Sequence, residues 1–293
     1  MGTIYSVLVT GVFMAGLGGL LALFLAIANK RLYVYEDPRI ELVEELLPHS
    51  NCGACGTAGC RNFAEQTVEG KIDPACCTVN TAEQNKSIAA LLGVAMGNVE
   101  KRVARLACAG GKHVAKMRAH YFGLSSCRAA AVSGGGGKGC AWGCLGLGDC
   151  ADVCDFDAIK MDSHGLPVVD TAKCTACGDC VDICPKNLFS IQGVTRKLWL
   201  ACKNESDPDA AEAVCEVACT ACGRCVMDGE DGLIHLERNL AVIDYERNAS
   251  ANRQAIERCP TGAIVWLEGD HVIKGKSAKK IIRIEPLPAT IEA

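Results

Sequence analysis

From Ile4 to Ala28 the chain runs through twenty-five positions without a charged residue, and Lys30 and Arg31 follow at once. At ~1.5 Å per residue, a helix of that length spans a hydrocarbon core of ~30 Å. No basic segment precedes the apolar run, and the run is too long for the core of a cleaved leader, so it predicts a retained single-pass anchor over residues 1–30. The adjacent cations then keep the rest of the chain on the cytoplasmic side. Small residues recur every fourth position as Gly11, Ala15, Gly19 and as Gly18, Ala22, Ala26, which either suits close approach of another membrane helix or reflects ordinary membrane-helix composition. Further on, Glu41 to Leu47 predicts a short helix. Ile88, Leu91, Leu92, Ala95, Val99 and Val103 fall at helical spacing and predict a helix over Ser87–Arg105. The glycine-rich stretch 133–139 predicts a flexible joint. Short strand-like pieces (Leu166 to Val169, Leu240 to Ile243) alternate with cysteine loops, and from Lys274 onward a loose tail is expected.

Composition changes this picture in one respect. The 293 residues include 21 cysteines and only 6 histidines. The cysteines cluster at two-residue gaps, a spacing that brings thiolates onto one metal site and that a secreted disulfide framework rarely uses. Reduced thiols also fit the cytoplasmic side. Net charge is −4, which gives no argument for nucleic acid. Between Lys101 and Gly148 stand eight cations (Lys101, Arg102, Arg105, Lys112, Lys116, Arg118, Arg128, Lys138) and no Asp or Glu. They either offset nearby anionic clusters or form a docking face for an acidic partner. No histidine pair has ligand spacing, and Gly134 to Gly137 lacks the context of a phosphate loop. No catalytic acid, base or nucleophile is expected.

An internal repeat carries most of the chemistry. Cys174-Thr175-Ala176-Cys177-Gly178-Asp179-Cys180 recurs as Cys219-Thr220-Ala221-Cys222-Gly223-Arg224-Cys225. With Cys184-Pro185, the first copy matches the bacterial ferredoxin run, in which three cysteines hold one 4Fe–4S cluster and the fourth reaches the other cluster of the pair. A four-thiolate zinc scaffold is the competing reading, but consecutive two-residue gaps and a distant Cys-Pro favour iron–sulfur. The partner run is Cys140, Cys144, Cys150 and Cys154. Crossed ligation assigns one cluster to Cys140, Cys144, Cys150 and Cys184, and a second to Cys154, Cys174, Cys177 and Cys180.

In the second copy Gly229 stands where a fourth cysteine would fall, and Cys259-Pro260 closes the half with no triplet before it. One complete set remains: Cys219, Cys222, Cys225 and Cys259. The first run, Cys52, Cys55 and Cys60, makes a fourth site, with Cys76 and Cys77 competing for the last ligand. The expectation is four 4Fe–4S clusters and sixteen iron atoms. Cys108, Cys127, Cys202 and Cys215 are expected to be small buried residues.

These features together resemble the B subunit of the Rnf complex, the membrane ferredoxin–NAD oxidoreductase that pumps ions. The likeness covers the anchor, Asn51-Cys52-Gly53-Ala54-Cys55-Gly56, the stretch from Cys140 to Cys150, Cys154, and Cys174 to Pro185. It departs where Asp155, not proline, follows Cys154, and where the C-terminal ferredoxin keeps half its ligands. The resemblance favours Cys77 over Cys76. It implies an α+β chain: transmembrane anchor (1–30), small helical 4Fe–4S domain (31–95), basic helical linker (96–133), two-cluster ferredoxin domain (134–198), one-cluster ferredoxin-like domain (199–270) and tail (271–293). It also implies a role. Electrons from soluble reduced ferredoxin pass along the clusters toward the other subunits, while the whole complex couples their flow to ion translocation and NAD reduction. The location implied is the inner (cytoplasmic) membrane of a bacterial or archaeal cell, single-pass, with the cluster domains on the cytoplasmic side. The alternative is a membrane-tethered polyferredoxin serving a hydrogenase or dehydrogenase.

Overall fold

The computed structural model describes residues 2–32 and 35–288. Helix α1 (Gly2–Leu32) carries a stretch, Tyr5–Leu32, with a mean hydropathy of 2.3, long and apolar enough to cross a membrane, and none of it is buried against the rest of the chain. Its last turn ends on Lys30 and Arg31.

A small helical domain follows, built from α2 (Pro38–Glu45), α3 (Cys60–Val68) and α4 (Ala82–Leu92). Asp37 caps α2 by accepting from Arg39 N, with Pro38 in the first turn. Thr81 and Gln84 cap α4 reciprocally, and Gly93 ends it in the left-handed region at φ 68°. Val43, Phe63 and Ile88 fill the core between the three helices. The helix expected over Ser87–Arg105 therefore stops at Leu92. Its last residues belong to strand β1 (Arg102–Leu106), because their backbone is taken by a ladder to a strand ninety residues later.

Two lobes of the same design make up the rest. The first runs β1, α5 (Cys127–Val132), α6 (Asp149–Asp152), β2 (Ile159–Met161), β3 (Pro167–Val169), α7 (Asp179–Ile183) and β4 (Phe189–Gly193). The second runs β5 (Leu198–Leu200), α8 (Pro208–Val214), α9 (Arg224–Asp228), β6 (Ile234–Glu237), β7 (Leu240–Ile243), α10 (Gln254–Glu257) and β8 (Ile264–Glu268), with β9 (His271–Ile273) added at the edge. In each lobe the first strand pairs antiparallel with the last helix-following strand, β1 with β4 and β5 with β8, and a hairpin lies between (β2–β3, β6–β7). The first lobe thus begins at β1, inside the stretch expected to be a helical linker.

Two other expectations change. The joint expected over 133–139 is packed at its second half: Gly136 faces Ala130, Arg118 N donates to Gly137 O at 2.7 Å, and a Cβ on Gly137 would meet Ala119 O at 2.1 Å, while Gly134 and Gly135 face open space. The stretch after Lys274 returns across both lobes, with Lys279 N donating to Pro260 O at 2.9 Å and Leu287 N to Lys112 O at 2.9 Å. Residues 289–293, the end of the expected tail, lie outside the described residues. Trp199 Nε1 donates to Leu106 O at 2.8 Å, and Ala109 N to Ala201 O at 2.9 Å, which joins the lobes through their first strands. The helical domain meets the first lobe where Thr78 Oγ1 donates to Thr175 O at 2.6 Å and Arg102 to Ala54 O at 3.0 Å.

Candidate metal centres

The repeated cysteine loops share one backbone. Ala176 and Gly178 have φ of 63° and 103°, Ala221 and Gly223 have 48° and 72°, and Gly146 and Gly148, at the same positions of the Cys144 loop, have 73° and 92°. Two left-handed residues around the middle position curl each loop so that its sulfurs face inward. Alanine tolerates this at a cost of order 1–3 kcal/mol, a strain that a packed functional loop can carry.

Each of two such loops closes on a concavity. Cys154, Cys174, Cys177 and Cys180 wall one of about 320 Å³ in the first lobe. Cys219, Cys222, Cys225 and Cys259 wall one of about 350 Å³ in the second. Burial pushes the Cys180 and Cys225 thiols up to about 12, and the other three thiols of each set push further in the same direction. Backbone N–H groups already point at sulfur, as where Ala104 N donates to Cys174 Sγ at 3.4 Å.

The helical domain holds a third concavity, of about 300 Å³, walled by Cys52, Cys55, Cys60 and Cys77. Asn51, Gly53 and Gly56 take positive φ, and Asn51 Oδ1 accepts from Cys60 N at 2.8 Å, so the Asn-Cys-Gly-Ala-Cys-Gly run wraps the site. Cys77 is held to this wall by Asn85 Nδ2, which donates to its carbonyl at 3.0 Å. Burial raises its thiol, and the N–H groups of Asn80 and Val79 oppose that rise. Cys76, one residue earlier, is not part of the wall.

The structure separates cysteines that the sequence expectation grouped, Cys140 from Cys144, Cys150 and Cys184. Burial pushes the Cys150 thiol up to about 12, and the thiols of Cys144, Cys127, Cys184 and Cys180 push further in the same direction. The reason lies in the loop. Leu147 occupies the position that Cys177 and Cys222 hold in the other copies, and α5 brings Cys127 in from upstream. Asp149 fixes that helix end, accepting from Cys127 N at 2.8 Å and from Ser126 Oγ at 2.9 Å. Cys140 instead lines a separate cavity with Cys108, Cys202 and Cys215. The leucine at position 147 was the sequence sign that this loop lacks the middle thiol of the other copies.

The basic stretch is not one face. Arg105 is half-buried, Arg102 and Lys101 bond carbonyls of Ala54 and Ala172, and Lys138 turns inward to the carbonyls of Gly110 and Cys144. Lys112, Lys116 and Arg118 are not drawn in this way and stand at the surface.

Among the described residues no group of three or more His, Cys, Asp or Glu could hold a single metal ion. The cysteines stand around concavities instead, a spacing suited to a multi-iron core with one thiolate per iron. The donor set, thiolates with N–H groups directed at sulfur, fits such a core.

Comparison with known proteins agrees. A family model for an Fe–S cluster matches residues 47–79, and one for a 4Fe–4S dicluster domain matches residues 139–188. The chain is 39% identical, over 94% of its length and 80% of the relative's, to the B subunit of the Na⁺-translocating ferredoxin:NAD⁺ oxidoreductase complex of Acetobacterium woodii. It is 38% identical to the B subunit of the ion-translocating oxidoreductase complex of Methanosarcina acetivorans, over 88% of this chain and 98% of that one. It is also 38% identical to the B subunit of the proton-translocating ferredoxin:NAD⁺ oxidoreductase complex of Clostridium ljungdahlii, over 90% and 93%. With likeness running from the helical domain through both lobes, the chain belongs to the family of B subunits of the ion-translocating (Rnf) oxidoreductase complexes.

Proposed function

We propose that this chain is the electron-transfer subunit of such a complex, taking electrons from reduced ferredoxin and relaying them through 4Fe–4S clusters while the whole complex couples the flow to ion translocation and NAD reduction. One observation carries the reading: cysteine-walled concavities of similar size, 300–350 Å³, follow one another along the chain's domains, and a hydrogen bond from Thr78 to Thr175 O joins the loops of the first two. Four sets of thiolates take clusters in this proposal. They are Cys52, Cys55, Cys60 and Cys77; Cys127, Cys144, Cys150 and Cys184; Cys154, Cys174, Cys177 and Cys180; and Cys219, Cys222, Cys225 and Cys259. The clusters supply one-electron chemistry near roughly −400 mV. The protein's own part is to hold the thiolates, direct N–H groups at sulfur and keep water out, with no proton transfer required of a side chain.

Helix α1 anchors the relay in the cytoplasmic membrane with Lys30 and Arg31 on the cytoplasmic side, beside the clusters. A reporter fused after residue 288 should be active in the cytoplasm; activity confined to the far side of the membrane would reverse the orientation. For the relay itself, anaerobically purified protein should be brown, with iron and acid-labile sulfide in equal amounts. Membranes carrying Cys177→Ala should lose ferredoxin-dependent NAD⁺ reduction by at least ~10–100-fold, the loss typical when even a supporting residue of a metal site is removed. Colourless protein containing zinc, or unchanged NAD⁺ reduction in that variant, would end the proposal.

A further inference from the structure

The two lobes meet at a fourth concavity, enclosing about 340 Å³ with its solvent-facing side included, that the four sets above leave unused. Cys108, Cys140, Cys202 and Cys215 stand on its wall, and the last three are buried. We propose that these four thiols hold a further 4Fe–4S cluster, seated on the seam between the lobes. The proposal rests on the iron–sulfur reading above and adds a site to it.

The strongest argument is that the four cysteines are two equivalent pairs. Cys108 lies two residues after the end of β1, and Cys202 two residues after the end of β5, the equivalent strand. Cys140 precedes Cys144 by four residues, as Cys215 precedes Cys219 in the repeated loop. The hydrogen bonds repeat as well: Cys144 N donates to Cys108 Sγ at 3.4 Å, and Cys219 N donates to Cys202 Sγ at 3.4 Å. Each lobe therefore contributes the same two thiols from the same two places. Four separate structural cysteines would have no reason to fall into this pairing.

The wall is shaped for a bulky guest. Ala107, Ala109, Ala201 and Ala218 line it with the smallest side chains. Gly110 lies between two of the sulfurs: a Cβ there would stand 3.2 Å from Cys215 Sγ and 3.7 Å from Cys108 Sγ. Asn204, 2% exposed, also lines the cavity. Its Oδ1 accepts from Ser206 N at 2.9 Å, which fixes the amide, and its buried Nδ2 donates to nothing among the described residues. A buried N–H without an acceptor is costly, and a cluster sulfur would satisfy it. Cys202 Sγ already accepts from Asn204 N at 3.5 Å.

Charge fits too. Each thiol releases its proton as its sulfur bonds one iron. The oxidised core with four thiolates is then a dianion, and it gains one more charge when an electron arrives from the neighbouring cluster. Lys138 lines the cavity and is tied there by the carbonyls of Gly110 and Cys144, placing a fixed cation beside that charge.

Position gives the site its role. The bond from Cys144 N ties the cavity to the first lobe's loop, and the bond from Cys219 N ties it to the second lobe's loop. A cluster here would be the step between the two lobes, a gap that the four other sets leave open. Electron tunnelling falls steeply with distance, so this step would carry the current between the second lobe and the clusters of the first lobe and helical domain.

The test uses the full-length protein, reconstituted anaerobically with iron and sulfide, and reads metal, sulfide and electron paramagnetic resonance. Wild type should saturate near about twenty iron atoms, four per cluster. Cys202→Ala/Cys215→Ala should saturate near about sixteen while keeping the signals of the remaining clusters, which report that it has folded. Wild type saturating near about sixteen with the double variant unchanged, or a zinc ion retained in wild type and lost with these cysteines, would overturn the seam cluster and leave the proposed function standing. Absence of iron from wild type would instead overturn that function. Should the double variant lose all its iron, Asn204→Leu decides. It should keep the full iron content and lower the midpoint potential of one cluster, because an N–H donor to sulfur favours the reduced form. Potentials unchanged at every cluster would overturn the proposal.

Discussion

Cys259→Ala should cost the protein the cluster of its second lobe, converting it to a three-iron form or emptying it, and cut electron uptake from reduced ferredoxin by at least ~100-fold. Cys259 comes 34 residues after Cys225, yet the two share one wall, because α10 packs against α9 and returns the Cys-Pro turn to the opening loop. Among the described residues no other cysteine lines that wall beyond the four, so none can replace it locally. Cys76→Ala, outside the first-domain wall, should leave the iron content as it is. Iron analysis and electron paramagnetic resonance of the two variants check both statements. A Cys259→Ala protein with wild-type iron and rate would show that the C-terminal set is closed by a different residue.

Phe63→Ala should destabilise the helical domain by about 3–5 kcal/mol, the usual cost of deleting a buried aromatic ring. Phe63 is 1% exposed, sits between Val43 and Ile88, and also lines the Cys52 concavity. A domain this small has little stability to spare, since whole domains hold only ~5–15 kcal/mol. The variant should therefore lose the first cluster as well as fold stability, with the two-lobe body retained. Chemical denaturation followed by far-ultraviolet circular dichroism, together with iron content, reads both. A change under about 1 kcal/mol would mean that the cluster and not the apolar core holds this domain together.

Much of the site was legible because it is local. A repeated heptapeptide produced a repeated backbone, down to left-handed Ala176 and Ala221 at matching places. The apolar helix was legible from length and charge alone. What could not be read was set by pairing across long separations. Val99 and Val103 fall at helical spacing by coincidence, and the ladder from Arg102–Leu106 to Phe189–Gly193 overrides it. Cys127 reaches its loop from twenty-three residues upstream of Cys150, so spacing rules miss it. In the C-terminal lobe, Gly229 marked the place where a fourth cysteine of the run is missing. What fills that place was not legible: a Cβ at Gly229 would meet the Cys225 carbonyl oxygen at 2.9 Å and Ile234 Cδ1 at 3.1 Å, so the helix backbone and an apolar side chain occupy the space.

Cys222 is exposed, alone among the described cysteines. A thiolate at the surface brings the edge of its cluster within reach of a soluble donor, and it brings dissolved oxygen to the same edge. Damage on exposure to air should then begin at the second lobe, because the thiols of the other sets are buried or half-buried. A partly oxidised sample would keep its other clusters while losing the one whose edge a soluble donor can reach. Such a sample would look nearly intact by total iron and inactive by turnover, and the exposure of one side chain would account for the difference.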